Sequence, residues 1–255
     1  MRAHVALTPA EFRGLGLGGS TAMVVDVLRA TTTVVAACAA GCTAVVPVPD
    51  PEAARARARS FPGEVLLAGE QGGDPIPGFD LGNSPLEYVP ERVAGRVIVM
   101  TTTNGTAAML LAGAAAGAGA AALVNVSAAA AWALEQVHDL VVLCSGEQGG
   151  LSLEDVVCAG LLIRHVAARC PALEISDGAR VAMAAAADFG SRLERLTEEA
   201  AWARRLIDKG HAADVTACLR LDTSTMVPVF RDGAIVPERR PAAIEPGDLA
   251  LERPR

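Results

Sequence analysis

The sequence predicts an α/β protein: a layered α/β/α arrangement on a mixed, largely parallel sheet, in two similar lobes. Three observations carry this. β-Branched runs alternate with helical stretches along most of the chain, the pattern of parallel strands joined by helical crossovers. The order strand, threonine-rich turn, small-residue helix occurs at residues 21–41 and again at 96–113. The 255 residues are 51% hydrophobic but only 3% aromatic, enough for a sizeable core of Ala, Val and Leu.

The elements follow in order. TAMVVDVL, from Thr21, is a buried strand. RATTTVVAACAAG is a turn and helix closed by Gly41. CTAVVPV is the next strand. DPEAARARARSF is a helix with Asp50 as its cap and Pro51 at its first position, and Arg55, Arg57 and Arg59 form a solvated face. EVLLAGE is a strand that ends on Glu70. QGGDPIPGFDLGNSP lacks periodicity, and a loop of that length in a compact domain is functional or unstructured. RVIVMTTTNGTAAMLLAG repeats the strand, turn and helix. AAALVNVS and DLVVLCSG read as strands, and SLEDVVCAGLLIRHVAARC as a helix. Residues 176–220 are mostly helical, and MVPVFRDGAIVP is a hairpin turning at Asp232-Gly233. The expected division is an N-terminal lobe 1–128, a C-terminal lobe 129–240 and a loose tail 241–255.

A net charge of -7 argues against a nucleic-acid partner. The six cysteines show no C-x-x-C pair and no zinc-type spacing, and the first residues lack a basic head with an apolar run. A cytoplasmic protein with free thiols is expected. No charged residue stands between Arg96 and Glu135, but threonines, asparagines and glycines there argue for a buried strand, turn and helix rather than a membrane span. Alanine-rich helices allow a homo-oligomer.

In sheets of this kind, ligands bind beyond the carboxyl ends of strands. Three turns qualify. VVDVLRATTT places Asp26 late in a buried strand, with Arg29 and Thr31 to Thr33 after it. Either Asp26 and Arg29 pair internally above a threonine cap, or a metal-binding carboxylate sits beside a phosphate-gripping arginine. TTTNGT supplies Thr102, Thr103, Asn104, Gly105 and Thr106, short side chains at a helix start that suits an anion. The plain alternative is capping by Thr103 or Asn104. CSGEQGGLSLED supplies Ser145, Gly146, Glu147, Glu154 and Asp155, carboxylates suited to Mg2+ at a helix start. Ser152 and Asp155 also fit a capping box, and Cys144 reads as a buried structural thiol. Glu70 ends its strand as Asp26 does, and the loop after it adds Asp80, Asn83 and Ser84. Carboxylates for a hard cation beside donors for an anion are the recipe for phosphoryl hydrolysis.

VVDVLRATTT, LLAGEQGG, GFDLGNSPLEY, TTTNGT and SLEDVVCAG stand in the same order in the 2-phosphosulfolactate phosphatase (ComB) family, which the chain resembles from about residue 3 to residue 237. DVTACLRLDTSTMVPVF is similar to that family's closing segment. The resemblance implies Mg2+-dependent hydrolysis of 2-phospho-3-sulfolactate to 3-sulfolactate and phosphate, a step in coenzyme M synthesis. On the matched positions, Asp26, Glu70 and Asp155 are expected to hold Mg2+. Asp26, Arg29 and Glu154 are expected to be catalytic. Arg29, Asn83, Ser84, residues 102–106, Ser145 and Gly146 are expected to bind a small phosphate ester. Arg164, Arg180, Arg204 and Arg205 are candidates for its other acid groups. The alternatives are a phosphatase for another small phosphorylated acid and a non-catalytic binder of a phosphorylated metabolite. A covalent phosphate on Asp26 is the mechanistic rival to direct attack by water.

Overall fold

A computed structural model describes residues 1–190 and 192–239, so the expected tail from residue 241 lies outside the described residues. Its strands are β1 (Arg2–Ala6), β2 (Ser20–Val25), β3 (Ala44–Pro47), β4 (Val65–Gln71), β5 (Asp74–Pro75), β6 (Val97–Thr101), β7 (Gly117–Ala121), β8 (Asp139–Cys144), β9 (Glu174–Ile175), β10 (Met226–Arg231) and β11 (Ala234–Arg239). They form one sheet, in the order β5-β4-β6-β3-β11-β10-β7-β2-β8-β1-β9.

Two parallel blocks make up most of it: β4, β6 and β3, and β7, β2, β8, β1 and β9. The β10–β11 hairpin lies between them, antiparallel to both neighbours, with Val229 opposite Gly119 and Ile235 opposite Val45. The sheet is therefore mixed and largely parallel, as expected. Its blocks do not divide at residue 128, because β1, β2 and β7 precede that residue and share a block with β8 and β9, which follow it.

Alternation along β2 sends its side chains into two of the three hydrophobic clusters among the described residues. Met23 and Val25 of β2 join one with the helices Val126–Glu135 and Leu153–Arg169. Ala22 and Val24 join the other with the helices Ala30–Ala39 and Gly105–Ala112. Counted through the hairpin, the two blocks run in opposite senses. Neighbouring strands rotate by about 20–25°, so the five steps from β2 to β6 accumulate on the order of 100°. Loops from the carboxyl ends of both blocks do meet, as Asn104 and Glu147 show below.

Asp50 caps the helix Pro51–Ala58 as expected, accepting from the Ala53 amide at 2.7 Å. The expected strand at 120–127 is corrected: β7 is earlier, and a helix begins at Val126. β7 reads GAGAA because it is packed closely. A Cβ on Gly119 would lie 3.3 Å from each of Met23, Pro228 and Trp132. Strand propensity favours the bulkier VNV, but packing selects the smaller segment. β1 and the short β5 and β9 were not foreseen. The long loop after Glu70 is held to β4, since Gly69 N–H donates to Leu81 and Leu67 N–H to the Asp80 carboxylate. All six cysteines are free. Among the described residues, no helix is long and apolar enough to cross a membrane.

The helices Leu153–Arg169 and Asp177–Phe189 meet where Gly160 has no side chain; a Cβ there would lie 1.9 Å from the Ala182 carbonyl oxygen. Gly160→Ala must push the helices apart, at a cost of about 1–3 kcal/mol. The expected result is a lower urea midpoint with an unchanged slope. An unchanged midpoint would contradict this close approach.

Candidate active site

The first turn begins where β2 ends. Asp26 starts the helix Ala30–Ala39 with its own side chain: Oδ1 accepts from the Ala30 amide at 3.0 Å. The threonines hold backbone carbonyls. Thr31 Oγ1 donates to Asp26 O, Thr32 Oγ1 to Val27 O and Thr33 Oγ1 to Asn83 O. Asp26 Oδ2 faces Gly105, where a Cβ would lie 2.6 Å from that oxygen and 2.5 Å from Ala30 Cβ. Only glycine lets the first and second turns approach so closely. Of the two readings of this turn, the internal Asp26–Arg29 pair is not formed among the described residues. Arg29, 3% exposed, donates from Nη1 to Asp214 Oδ2 at 2.6 Å and from Nη2 to Gly73 O at 2.6 Å.

The second turn, at residues 102–106, gives part of its donor set to the protein itself. Glu70 Oε1 accepts from the Thr103 amide at 2.7 Å, and Oε2 accepts from Gly73 N–H at 2.6 Å and Thr103 Oγ1 at 3.0 Å. The helix Gly105–Ala112 is capped by neither Thr103 nor Asn104. Thr102 Oγ1 accepts from the Thr106 amide at 3.1 Å, and Thr106 Oγ1 from the Thr102 amide at 3.2 Å. Asn104 instead reaches across to the other block, its Nδ2 donating to Glu147 Oε2 at 3.0 Å.

The third turn follows β8. Glu147 and Gly150 exchange backbone hydrogen bonds, which closes the loop tightly. Asp155 makes no capping box with Ser152. Its Oδ1 accepts from Val27 N–H at 2.8 Å and its Oδ2 from Gly146 N–H at 3.1 Å, which ties the first turn to the third. Glu154 is 1% exposed. Among the described residues, its Oε2 is buried without a hydrogen-bond partner, as are Asn83 Oδ1 and Ser145 Oγ.

These turns line a small cleft whose walls include Asp26, Arg29, Glu70, Asn83, Asn104 and Glu147. Burial pushes the Asp26 carboxyl up to about 7; the Ala30 amide opposes the rise, and Glu70, Glu154 and Glu147 add to it. Burial also raises Glu147, Glu154 and Asp155, the last well above the usual carboxylate range. Asp26, Glu70 and Asp155 are not gathered into one cation cage. Among the described residues, no three His, Cys, Asp or Glu side chains form a ready metal-binding group. Glu70 and Asp155 each give both oxygens to backbone amides, whereas Glu154 keeps one oxygen unused.

Three contributors were missed in the sequence. Asp214 holds both Arg29 and Ser84, the latter through Ser84 Oγ to Oδ1 at 2.5 Å. Gly73 offers its carbonyl to Arg29, and Trp202 lines the cleft while its Nε1 donates to Leu28 O. Asp214 lies in the quoted closing segment, but nothing in its spacing points to Arg29. Of the four candidate arginines, Arg205 reaches the cleft, with Nη1 3.6 Å from Glu147 Oε1 and its guanidinium over Trp202. Arg204 bonds the Glu198 and Glu199 carbonyls instead.

A family profile described as 2-phosphosulpholactate phosphatase matches residues 7–233. A protein of Symbiobacterium thermophilum is 39% identical over 91% of this chain and 98% of its own length. A Thermus thermophilus protein is 42% identical over 91% of this chain and 95% of its own. A Gloeobacter violaceus protein is 42% identical over 81% and 86%. Each of the three bears the name probable 2-phosphosulfolactate phosphatase.

The raised Asp26 carboxyl has a consequence for stability. Between about 3.8 and about 7 the folded state holds a proton that the unfolded state has released. The stability this proton gives is full at the acid end and is lost as pH climbs through about 7. At about 1.4 kcal/mol per unit, the loss reaches a few kcal/mol. With chelator present, Asp26→Asn should therefore melt higher than wild type at pH 8, and the gap should shrink on acidification to pH 5, on the order of these shifts. An equal gap at both ends would refute the buried, proton-holding carboxyl.

Proposed function

The chain belongs to the 2-phosphosulfolactate phosphatase family and is thus a phosphoric monoester hydrolase, and we propose that it hydrolyses 2-phospho-3-sulfolactate to 3-sulfolactate and phosphate with Mg2+. The observation that carries this reading is the charge of the cleft. Asp26, Glu70 and Glu147 line it, and Glu154 is buried beside them, while Arg29 is already paired with Asp214. A polyanionic ester entering such a site meets like charge on most sides unless a cation intervenes.

The donor chemistry suits a hard divalent ion. Asp26 and Glu154 would hold it, with Asn83 Oδ1 and Ser145 Oγ as further oxygen donors; three of these groups carry the buried atoms that lack partners. Mg2+ accepts one or two carboxylates and completes its shell with water and substrate phosphate, so a ready-made three-acid cage is not required. When bound, such an ion supplies charge neutralisation at the phosphoryl oxygens and a more acidic water.

The chain's own groups divide the remaining work. Arg29 retains N–H groups beyond the two spent on Asp214 and Gly73, and these face a phosphoryl oxygen. The Asn104 and Gly105 amides, at the start of the helix Gly105–Ala112, add further donors. Glu147 lines the cleft with its carboxyl raised by burial, which suits it to accept a proton from attacking water. Arg205, at the rim, meets the sulfonate or carboxylate. We take direct attack by water as the mechanism; a covalent phosphate trapped on Asp26 would replace it.

Phosphate release from 2-phospho-3-sulfolactate should require Mg2+, fall to background with chelator, and be lost in Asp26→Asn while the protein stays folded. Turnover of other small phosphorylated acids with equal efficiency would move the substrate assignment. No release from any small phosphate ester with Mg2+ present would leave a binder of phosphorylated metabolites.

A further inference from the structure

We propose that Asp214 is the positioning residue for Arg29, fixing its guanidinium so that the unspent N–H groups are presented to the phosphoryl oxygens. This rests on the phosphatase reading above and adds a residue to which sequence analysis assigned no role. Asp214 is 5% exposed and sits on the helix Ala212–Cys218. Its Oδ2 accepts from Arg29 Nη1 at 2.6 Å, and its Oδ1 accepts from Ser84 Oγ at 2.5 Å. Gly73 O takes Nη2 at 2.6 Å. A guanidinium has five N–H donors in one plane. Holding both terminal nitrogens fixes that plane and leaves three donors for a ligand.

The frame that carries Asp214 is itself pinned on both sides of this contact. Trp202 Nε1 donates to the carbonyl of Leu28, which precedes Arg29, at 2.8 Å. Lys209 Nζ donates to Asp74, which follows Gly73, at 2.7 Å. The helical segment thus grips the neighbours of Arg29 and of Gly73 while Asp214 grips the guanidinium. A charge needed only to offset a buried arginine would need no such frame. His211 Nδ1 lies 3.5 Å from Asp214 Oδ2 and is the other basic group facing this carboxylate.

The test separates placement from charge balance. Asp214→Glu keeps the charge and moves it by one methylene; Asp214→Asn keeps the shape and removes the charge. Phosphate release from 2-phospho-3-sulfolactate with Mg2+ is measured for both, for Arg29→Ala and for the Arg29→Ala, Asp214→Asn double variant, with melting curves for each. Positioning predicts that kcat falls roughly 10–100-fold in Asp214→Glu with folding retained, as for other groups that orient a ligand from behind. It also predicts that Asp214→Asn changes kcat by less than about twofold once Arg29 is gone, because the two residues act as one unit. Wild-type kcat in Asp214→Glu, or an equal loss from Asp214→Asn in both backgrounds, would overturn it. Should Asp214→Asn alone not fold, Asp214→Glu and the double variant, which buries no unpaired guanidinium, still decide. Failure of wild type to release phosphate would instead count against the phosphatase reading. Calorimetry with inorganic phosphate and Mg2+ then tests the positioning by itself: binding should weaken roughly tenfold in Asp214→Glu, and unchanged binding would reject it.

Discussion

Buried carboxylates that accept backbone amides from other parts of the chain are the constraint on which this architecture depends. Asp155 joins the Val27 and Gly146 amides, and Glu70 joins those of Thr103 and Gly73. One bond of each carboxylate, Val27 N–H to Asp155 and Thr103 N–H to Glu70, links turns that follow different strands, so the cleft is tied by side chains as well as by the sheet. Charge-assisted bonds of this type are stronger than neutral ones, and removal of either partner leaves a buried group unsatisfied. The same groups make the neighbourhood acidic, so the features that assemble the cleft also create its demand for positive charge.

That demand explains why the site looks unfinished when regarded as protein alone. Asn83 Oδ1, Ser145 Oγ and Glu154 Oε2 are buried without partners among the described residues, which is costly for polar atoms. They come from three separate segments and adjoin the acidic cleft or its supporting turns. Orphaned oxygens beside repelling carboxylates are the arrangement that an incoming hard cation relieves, in keeping with the proposed role of Asp26 and Glu154. Glu70 and Asp155, equally acidic in sequence, serve the backbone instead.

The strand–turn–helix alternation and the three turns were legible because β-branched runs, threonine clusters and glycines are local signals. Asp26, Glu70 and residues 102–106 could be placed at strand ends by the same reasoning, and Asn83 in the loop that follows Glu70. Partner choice could not. Arg29 lies three residues from Asp26 yet bonds Asp214, which is 185 residues away, and the 152–155 pattern fits a capping box that Asp155 abandons for the amides of Gly146 and the remote Val27. Side-chain chemistry states what a group needs; only the tertiary arrangement states who supplies it. β7 was misplaced for a related reason. Its glycines answer to Trp132 on a packed helix and Met23 on the neighbouring strand, a demand that window-by-window propensity does not register.

The central place of the β10–β11 hairpin bears on how the molecule is made. A ribosome delivers residues 226–239 after every other strand described, yet they form the seam between two blocks that otherwise share no strand pairing. Until that seam arrives, β7 and β3 each present a bare edge, the kind of surface that recruits stray strands from other chains. The hairpin is thus the last of the described strand pairs to be made, and a chain stopped short of it would lose its middle, not its margin.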